Sequence, residues 1–256
     1  MQPNPLGDCF ESGATALGGW LNLPSSTGAE IMAGLDLDYI VIDMQHGLID
    51  YSDSLSLLAS IAGHSVTSVI RVPWNAPDHI GKALDAGAMG LIIPMVNSEA
   101  ECRQAVEYAS YPPRGRRSYG PSRAAIVEGP EYFDEAKIAI IPMIETTEAL
   151  GNLDAILSVD GIAAVYVGPA DLAISMGFKP GSDDPAFLAA LDLIVARSDA
   201  HGVVPGIHAT PVTAADRLTR GFRMVTVTTD LVALRTRLAE DVSQVRAGLA
   251  DHITRS

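Results

Sequence analysis

Eight short apolar runs punctuate the chain: ALGGWLNL (16–23), YIVIDM (39–44), TSVIRV (67–72), GLIIPM (90–95), IAIIPMI (138–144), AAVYVG (163–168), VVPGIH (203–208) and MVTVTT (224–229). Each is rich in Val and Ile and bounded by Gly, Pro or polar residues. That is how strands buried on both faces read, because a parallel sheet covered by helices leaves no polar face. Stretches with helical spacing lie between them, at 53–63, 79–87, 98–109, 186–202 and 233–250. Gly63, Gly87, Gly202 and Gly221 sit where helix C-caps are expected. Eight strands alternating with helices over 256 residues have the length and rhythm of one α/β domain, a (β/α)8 TIM barrel spanning 1–256. A doubly wound open sheet is the rival, but neither GxGxxG nor GxxxxGK[ST] is present. Residues 111–137, YPPRGRRSYGPSRAAIVEGPEYFDEAK, read as one long irregular segment with a functional or subunit-contact role.

A barrel of this kind carries its chemistry at the C-terminal ends of its strands. The second run ends in Asp43, Gln45 and His46, the third in Arg71, the fifth in Glu145 and the sixth in GPAD, Gly168 to Asp171. Trp20 lies on the first run and His208 on the seventh. Glu145 and Asp171 are one βα unit apart, so they end neighbouring strands about 4.8 Å from each other. Two carboxylates that close repel unless a proton or a cation lies between them, and a hard divalent ion suits them. The competing reading has each carboxylate capping the helix that follows. Arg71 suits a clamp for a carboxylate or oxyanion, against a plain ion pair with Asp43. His46 suits a general base, against an imidazole satisfied by backbone. His208 has no obvious partner, and His64, His79, His201 and His252 read as helix-surface or loop residues.

Charge narrows the ligand classes. Thirty-one acidic against 17 basic residues give −14, which repels nucleic acid and anionic membranes. An anionic substrate would then need an arginine or a bound cation. No run reaches the roughly 20 apolar residues of a membrane span. The N-terminus lacks a basic segment followed by an apolar one, so no secretory leader is expected. Cys9 and Cys102 lie in no metal or CxxC spacing and fit a reducing cytoplasm. Lysine occurs only at 82, 137 and 179, none of them at a strand's C-terminal end, which argues against Schiff-base catalysis.

Trp20, DMQHG, RVPWN, LDAGAMGLIIPMV, YPPRGRRSYGPSRA, PMIET and VGPADLA, in this order over about residues 16–210, resemble the HpcH/HpaI family. These are metal-dependent class II pyruvate aldolases of the 4-hydroxy-2-oxoheptanedioate and 2-keto-3-deoxy-sugar-acid type, on a phosphoenolpyruvate/pyruvate-type barrel. The resemblance implies that Glu145 and Asp171 hold magnesium, manganese or cobalt. It implies His46 as the base, directly or through water, and Arg71 as the residue that steadies the enolate. Gly168, Pro169 and Ala170 would receive the substrate carboxylate, with Trp20, Gln45 and Met143 also at the substrate. Asp85 would raise the basicity of the histidine. Because Asp85 ends a helix at the opposite face, it would have to come from a neighbouring subunit, which predicts a homo-oligomer, trimeric or hexameric, with shared sites. Family members often carry Glu where this chain has Gln45 and Gln where it has Met143, so substrate range is expected to differ. The expected partners are a small 2-keto acid and an aldehyde, as in aromatic or sugar-acid catabolism. Two alternatives stand beside this. An acyl-CoA lyase of the malyl- or citryl-CoA type would use Arg114, Arg116 and Arg117 for the nucleotide. A non-catalytic barrel would only bind a metabolite.

Overall fold

A strand buried on both faces pairs on both edges, and each apolar run does so. The computed structural model describes residues 4–129, 132–135 and 137–254; for 134, 135 and 248–254 it describes the backbone course alone. The elements are α1 (Pro5–Ser12), β1 (Ala16–Leu21), α2 (Ser26–Ala33), β2 (Tyr39–Asp43), α3 (Tyr51–Ile61), β3 (Thr67–Arg71), α4 (Pro77–Asp85), β4 (Gly90–Ile93), α5 (Glu99–Ala109), α6 (Ser122–Glu128), α7 (Tyr132–Glu135), β5 (Ala139–Ile144), α8 (Thr147–Gly151), α9 (Leu153–Leu157), β6 (Ala164–Val167), α10 (Pro169–Ser175), α11 (Pro185–His201), β7 (Val204–His208), α12 (Ala214–Thr219), β8 (Met224–Thr229) and α13 (Asp230–Thr254). The strands are parallel and pair in chain order, and β8 pairs back to β1, closing the barrel. The expected (β/α)8 architecture is therefore the observed one.

Alternate strand residues feed two apolar layers. Ile40, Ile42, Ile70, Leu91, Ile93, Ile144, Val165 and Ile207 point outward and pack under the helices. Tyr39, Val41, Val69, Ile92, Ile141, Met143, Tyr166 and Met224 fill the barrel interior. The interior also holds polar groups that satisfy one another. The Tyr166 hydroxyl donates to Thr226 Oγ1 at 2.6 Å, and the Tyr39 hydroxyl lies 3.1 Å from the same oxygen. Both phenols are fully buried, and burial drives their acidity down. Gly18 and Gly206 make the space for them. A Cβ at Gly18 would overlap the Tyr39 ring, and one at Gly206 would stand 2.8 Å from Tyr166.

Helix ends follow local chemistry. Asp50 and Asp53 form a reciprocal capping box on α3, and Pro occupies the first turn of α4, α10 and α11. Gly202 caps α11 in the left-handed conformation, φ 69°, and Gly87 and Gly221 follow their helices with positive φ. Gly63 does not: α3 ends on Ala62 in a right-handed conformation. The segment 111–137 is not wholly irregular, because it contains α6 and the short α7; within it, 130, 131 and 136 lie outside the described residues. Helix α1 carries no expectation from sequence. It stoppers the N-terminal end of the barrel, where Leu6 is fully buried in the interior cluster and its N–H donates to Thr67 Oγ1 at 3.0 Å.

Candidate active site

The strand that ends in Asp43 organises the mouth. Asp43 is fully buried at the end of β2. Its Oδ1 accepts from Arg71 Nε at 2.8 Å and from the backbone N–H groups of Gln45 and His46 at 3.0 and 3.2 Å. Its Oδ2 accepts from Arg71 Nη2 at 2.6 Å, Asn22 Nδ2 at 3.1 Å and Trp20 Nε1 at 3.2 Å. Burial alone would raise this carboxyl. The hydrogen bonds and charge of Arg71, with the His46 N–H and the Trp20 indole, outweigh it and hold Asp43 below the usual value. The chain turns back over the strand at Gly47, where a Cβ would overlap the Asp43 carbonyl oxygen.

Arg71 is thus fixed bidentately by Asp43, the pairing weighed as the alternative to a ligand clamp. The two roles are compatible. The guanidinium carbon also lies 4.9 Å from the Trp20 ring centroid, and the side chain borders a cavity of about 260 Å³. The cavity is lined by Trp20, Asn22, Asp43, His46, Arg71, Met143, Tyr166, Gly168, Pro169, Ala170, Asp171, His208 and Thr229. His46 reaches it from an exposed turn. Gln45 does not border it, and its Oε1 is buried with no hydrogen-bond partner.

Glu145 follows β5 directly and is 2% exposed; Asp171 lies exposed in the first turn of α10, after the neighbouring strand β6. Neither caps a helix with its side chain: α8 is capped by the Thr146 hydroxyl, and α10 has Gly168 at its N-cap without a side-chain cap bond. Glu145 Oε1 accepts the Met95 N–H at 2.7 Å. On the other side, a Cβ at Gly168 would stand 2.5 Å from Oε2, so only glycine leaves this oxygen room. Burial raises the Glu145 carboxyl above its usual value. The Asp171 charge adds to the rise, while the Met95 N–H and the Arg71 charge oppose it. Two hard oxygen donors that repel each other, in the segments that follow adjacent strands, suit a magnesium-type cation, which keeps several waters and takes substrate oxygens. Among the described residues no group of three or more His, Cys, Asp or Glu is gathered for a metal. Soft, fully protein-ligated sites are therefore a poor fit here, and a two-carboxylate site is a good one.

His208 closes one wall, edge-on to Trp20 with centroids 5.0 Å apart. Burial and then the nearby Arg71 charge lower its pKa to about 4, against the opposing pull of Asp43, so the imidazole is neutral at pH 7. His64, His79 and His201 lie away from this cavity, and the His252 side chain lies outside the described residues.

Asp85 ends α4 at the opposite face of the barrel, where Arg117 Nη2 donates to its Oδ1 at 2.7 Å. Arg117 is buried between Tyr111 and Tyr132, beside a cavity of about 940 Å³ that also touches Arg114. Arg116 lies over the Tyr108 ring and pairs with Glu107. This corrects the acyl-CoA alternative: the three arginines expected to hold a nucleotide at the mouth stand near the N-terminal ends of the strands. Sequence reasoning missed Asn22, Tyr166 and Thr229 as lining residues. Asn22 had a signal, since it lies two residues past Trp20 at a strand end; Tyr166 reads as plain core.

A family model for HpcH/HpaI aldolase/citrate lyase matches residues 17–236. The chain belongs to that family. It is 39% identical over 249 residues to a hydroxypyruvate/pyruvate aldolase of Rhizorhabdus wittichii, covering 95% of this chain and 99% of that protein. It is also 39% identical over 209 residues to a 4-hydroxy-2-oxo-heptane-1,7-dioate aldolase of Salmonella arizonae, covering 80% of each. Among solved structures, an HpcH/HpaI aldolase/citrate lyase family protein from Burkholderia cenocepacia superposes with a TM-score of 0.90 at 29% identity, over 95% of this chain and 99% of the other. All eight barrel strands of this HpcH/HpaI chain fall within or at the edge of the matched range.

Proposed function

We propose that the chain is a divalent-metal-dependent aldolase. It cleaves a 4-hydroxy-2-keto acid to an aldehyde and pyruvate, or a close analogue such as hydroxypyruvate, and it catalyses the reverse addition. One observation carries the reading: Asp171 lines one small cavity with a guanidinium locked in place by Asp43, and buried Glu145, its Oε2 against the cavity residue Gly168, feels the charge of both. Bound by Glu145 and Asp171, a magnesium, manganese or cobalt ion would act as a Lewis acid towards the keto oxygen.

The protein's own groups do the rest. The N–H groups at Gly168 and Ala170 receive the substrate carboxylate, while Pro169, which has none, sets the backbone course. His46 takes the proton of the 4-hydroxyl as the C3–C4 bond breaks. Arg71 donates to the enolate oxygen until C3 takes up a proton to give pyruvate, and it is preorganised because two of its nitrogens are already held by Asp43. Trp20 and Met143 give an apolar wall that keeps water from the enolate. Gln45 acts on the substrate indirectly, through the turn that carries His46. Asp85 reaches the histidine of a neighbouring copy. That requires an oligomer, and α13 supports one: residues 231–240 are all exposed, and Leu231, Leu234, Leu238, Val242 and Val245 form an uncovered apolar stripe. Cytoplasmic residence belongs to the same reading, with Cys9 and Cys102 both free.

Retro-aldol cleavage, followed with and without chelator, tests the function. Loss of cleavage in chelator and recovery with Mg²⁺ or Mn²⁺ is expected. Activity that survives chelator but is abolished by borohydride with pyruvate would overturn it.

A further inference from the structure

Met95, just past β4, is the one non-glycine residue with positive φ among the described residues, at 55°. An L-residue held there costs about 1 kcal/mol or more, so surrounding bonds must impose it. What the strained conformation achieves is visible: the Met95 N–H meets Glu145 Oε1 at 2.7 Å. Asn97 is placed to hold it there. Its Nδ2 donates to the Met95 carbonyl at 3.2 Å, and its Oδ1 accepts the hydroxyl of Thr146, the residue after Glu145. One amide therefore ties the residue that supplies the N–H to the residue beside the carboxylate that accepts it. The Asn97 backbone is itself pinned, its N–H to Glu101 Oε2 at 2.6 Å and its carbonyl by Asn152 Nδ2 at 2.8 Å. Only the side-chain torsions are left, and both ends of the amide are engaged.

Resting on the metal reading above, we propose that Asn97 is the positioning residue for Glu145: it fixes Met95 so that Oε1 is occupied by a backbone N–H and Oε2 alone is offered to a divalent cation. The opposite face agrees. Oε2 is the oxygen that lies against Gly168, where nothing larger than glycine fits, at the N-cap of the helix whose first turn carries Asp171. Without the clasp, Met95 relaxes towards negative φ, its N–H turns away, and Glu145 is free to rotate or to present both oxygens. Asn suits the task better than its neighbours in size. Asp has no donor for the Met95 carbonyl, Ser is too short to span both partners, and Gln is one methylene too long.

The test is Mn²⁺ binding to metal-stripped protein, by titration calorimetry and by the electron paramagnetic resonance spectrum of bound Mn²⁺, with thermal unfolding alongside. Asn97→Ala should bind Mn²⁺ about 10- to 100-fold more weakly and with an altered spectrum, the usual size of losing a group that orients a ligand. Met95→Gly keeps the N–H and adopts the same φ freely, so it should bind like the unaltered protein. Asn152→Ala removes a bond to the Asn97 backbone but leaves the clasp, and should also bind normally. If Asn97→Ala does not fold, Asn97→Asp decides. Its added charge would by itself tighten cation binding, so weaker binding isolates the lost donor. Unchanged affinity in folded Asn97→Ala, or an unaltered Mn²⁺ spectrum in Asn97→Asp, would overturn the proposal, as would an equal loss in Asn152→Ala. Failure of the unaltered protein to bind Mn²⁺ at all overturns the metal reading itself and this inference with it.

Discussion

Arg71 and Asp43 illustrate how a single residue is both structure and chemistry. Deleting the guanidinium leaves a buried carboxylate without its partner, which costs about 3–5 kcal/mol. Arg71→Ala would therefore confuse stability with turnover. Arg71→Lys keeps a positive charge beside Asp43 but loses the fork. We expect its turnover to fall about 100-fold or more, the scale of losing an oxyanion donor, with Mn²⁺ affinity unchanged by calorimetry. His208 gives a second prediction. Its folded pKa is about 4, below the ordinary value near 6.5, so the unfolded chain takes up the proton first. Stability is lost as pH falls from 6.5 towards 4, by up to about 3 kcal/mol. His208→Leu should lack that component, read as a shallower fall in urea-unfolding free energy over this range. At this scale the sequence was informative where a side chain ends a strand. Asp43, Arg71 and His208 were legible because they are the last residues of parallel strands, and His46 and Glu145 because they follow such ends within three residues. Asn97 was not, because its importance lies in two hydrogen bonds between loops, which no spacing encodes.

Single elements were legible to the degree that they bury apolar surface periodically. The eight strands fall within a residue or two of the apolar runs, since parallel barrel strands are covered on both sides. The long helices α5 and α11 match their periodic stretches, whereas α8, α9 and α10 are too short for a period to show. Helix α1 was invisible for a different reason: only Leu6 of its residues is buried. Yet α1 closes the floor of the barrel through Thr67, which is 1% exposed and whose hydroxyl accepts from the Leu6 N–H and donates to Asn4 Oδ1, each at 3.0 Å. Thr67→Val keeps the shape and strands a buried N–H, so we expect about 1–3 kcal/mol of destabilisation in urea unfolding. A smaller loss in Thr67→Ser, which retains the hydroxyl, would attribute the effect to the bonds rather than to packing.

For the whole molecule, the helix that completes the eighth βα unit is the conspicuous exception, because α13 leaves its apolar stripe uncovered along most of its length. Leu238→Glu should shift the assembly towards smaller species in light scattering. If Asp85 serves a neighbour's histidine, activity should fall in parallel. A protein that stays the same size in Leu238→Glu would show that this stripe does not hold the assembly. The buried phenols beneath the site carry a different consequence. Tyr39 and Tyr166 share one threonine oxygen, and each occupies room vacated by a glycine on the adjacent strand. Floor and glycine form matched pairs, so a substitution at either member alone meets a clash or opens a void. The depth of the cavity is in this sense frozen against stepwise change. Its breadth is not: His208 and Thr229 line the cavity without a glycine matched to them. Divergence towards new aldehydes should therefore travel sideways around the wall, one residue at a time, while the base of the barrel stays as it is.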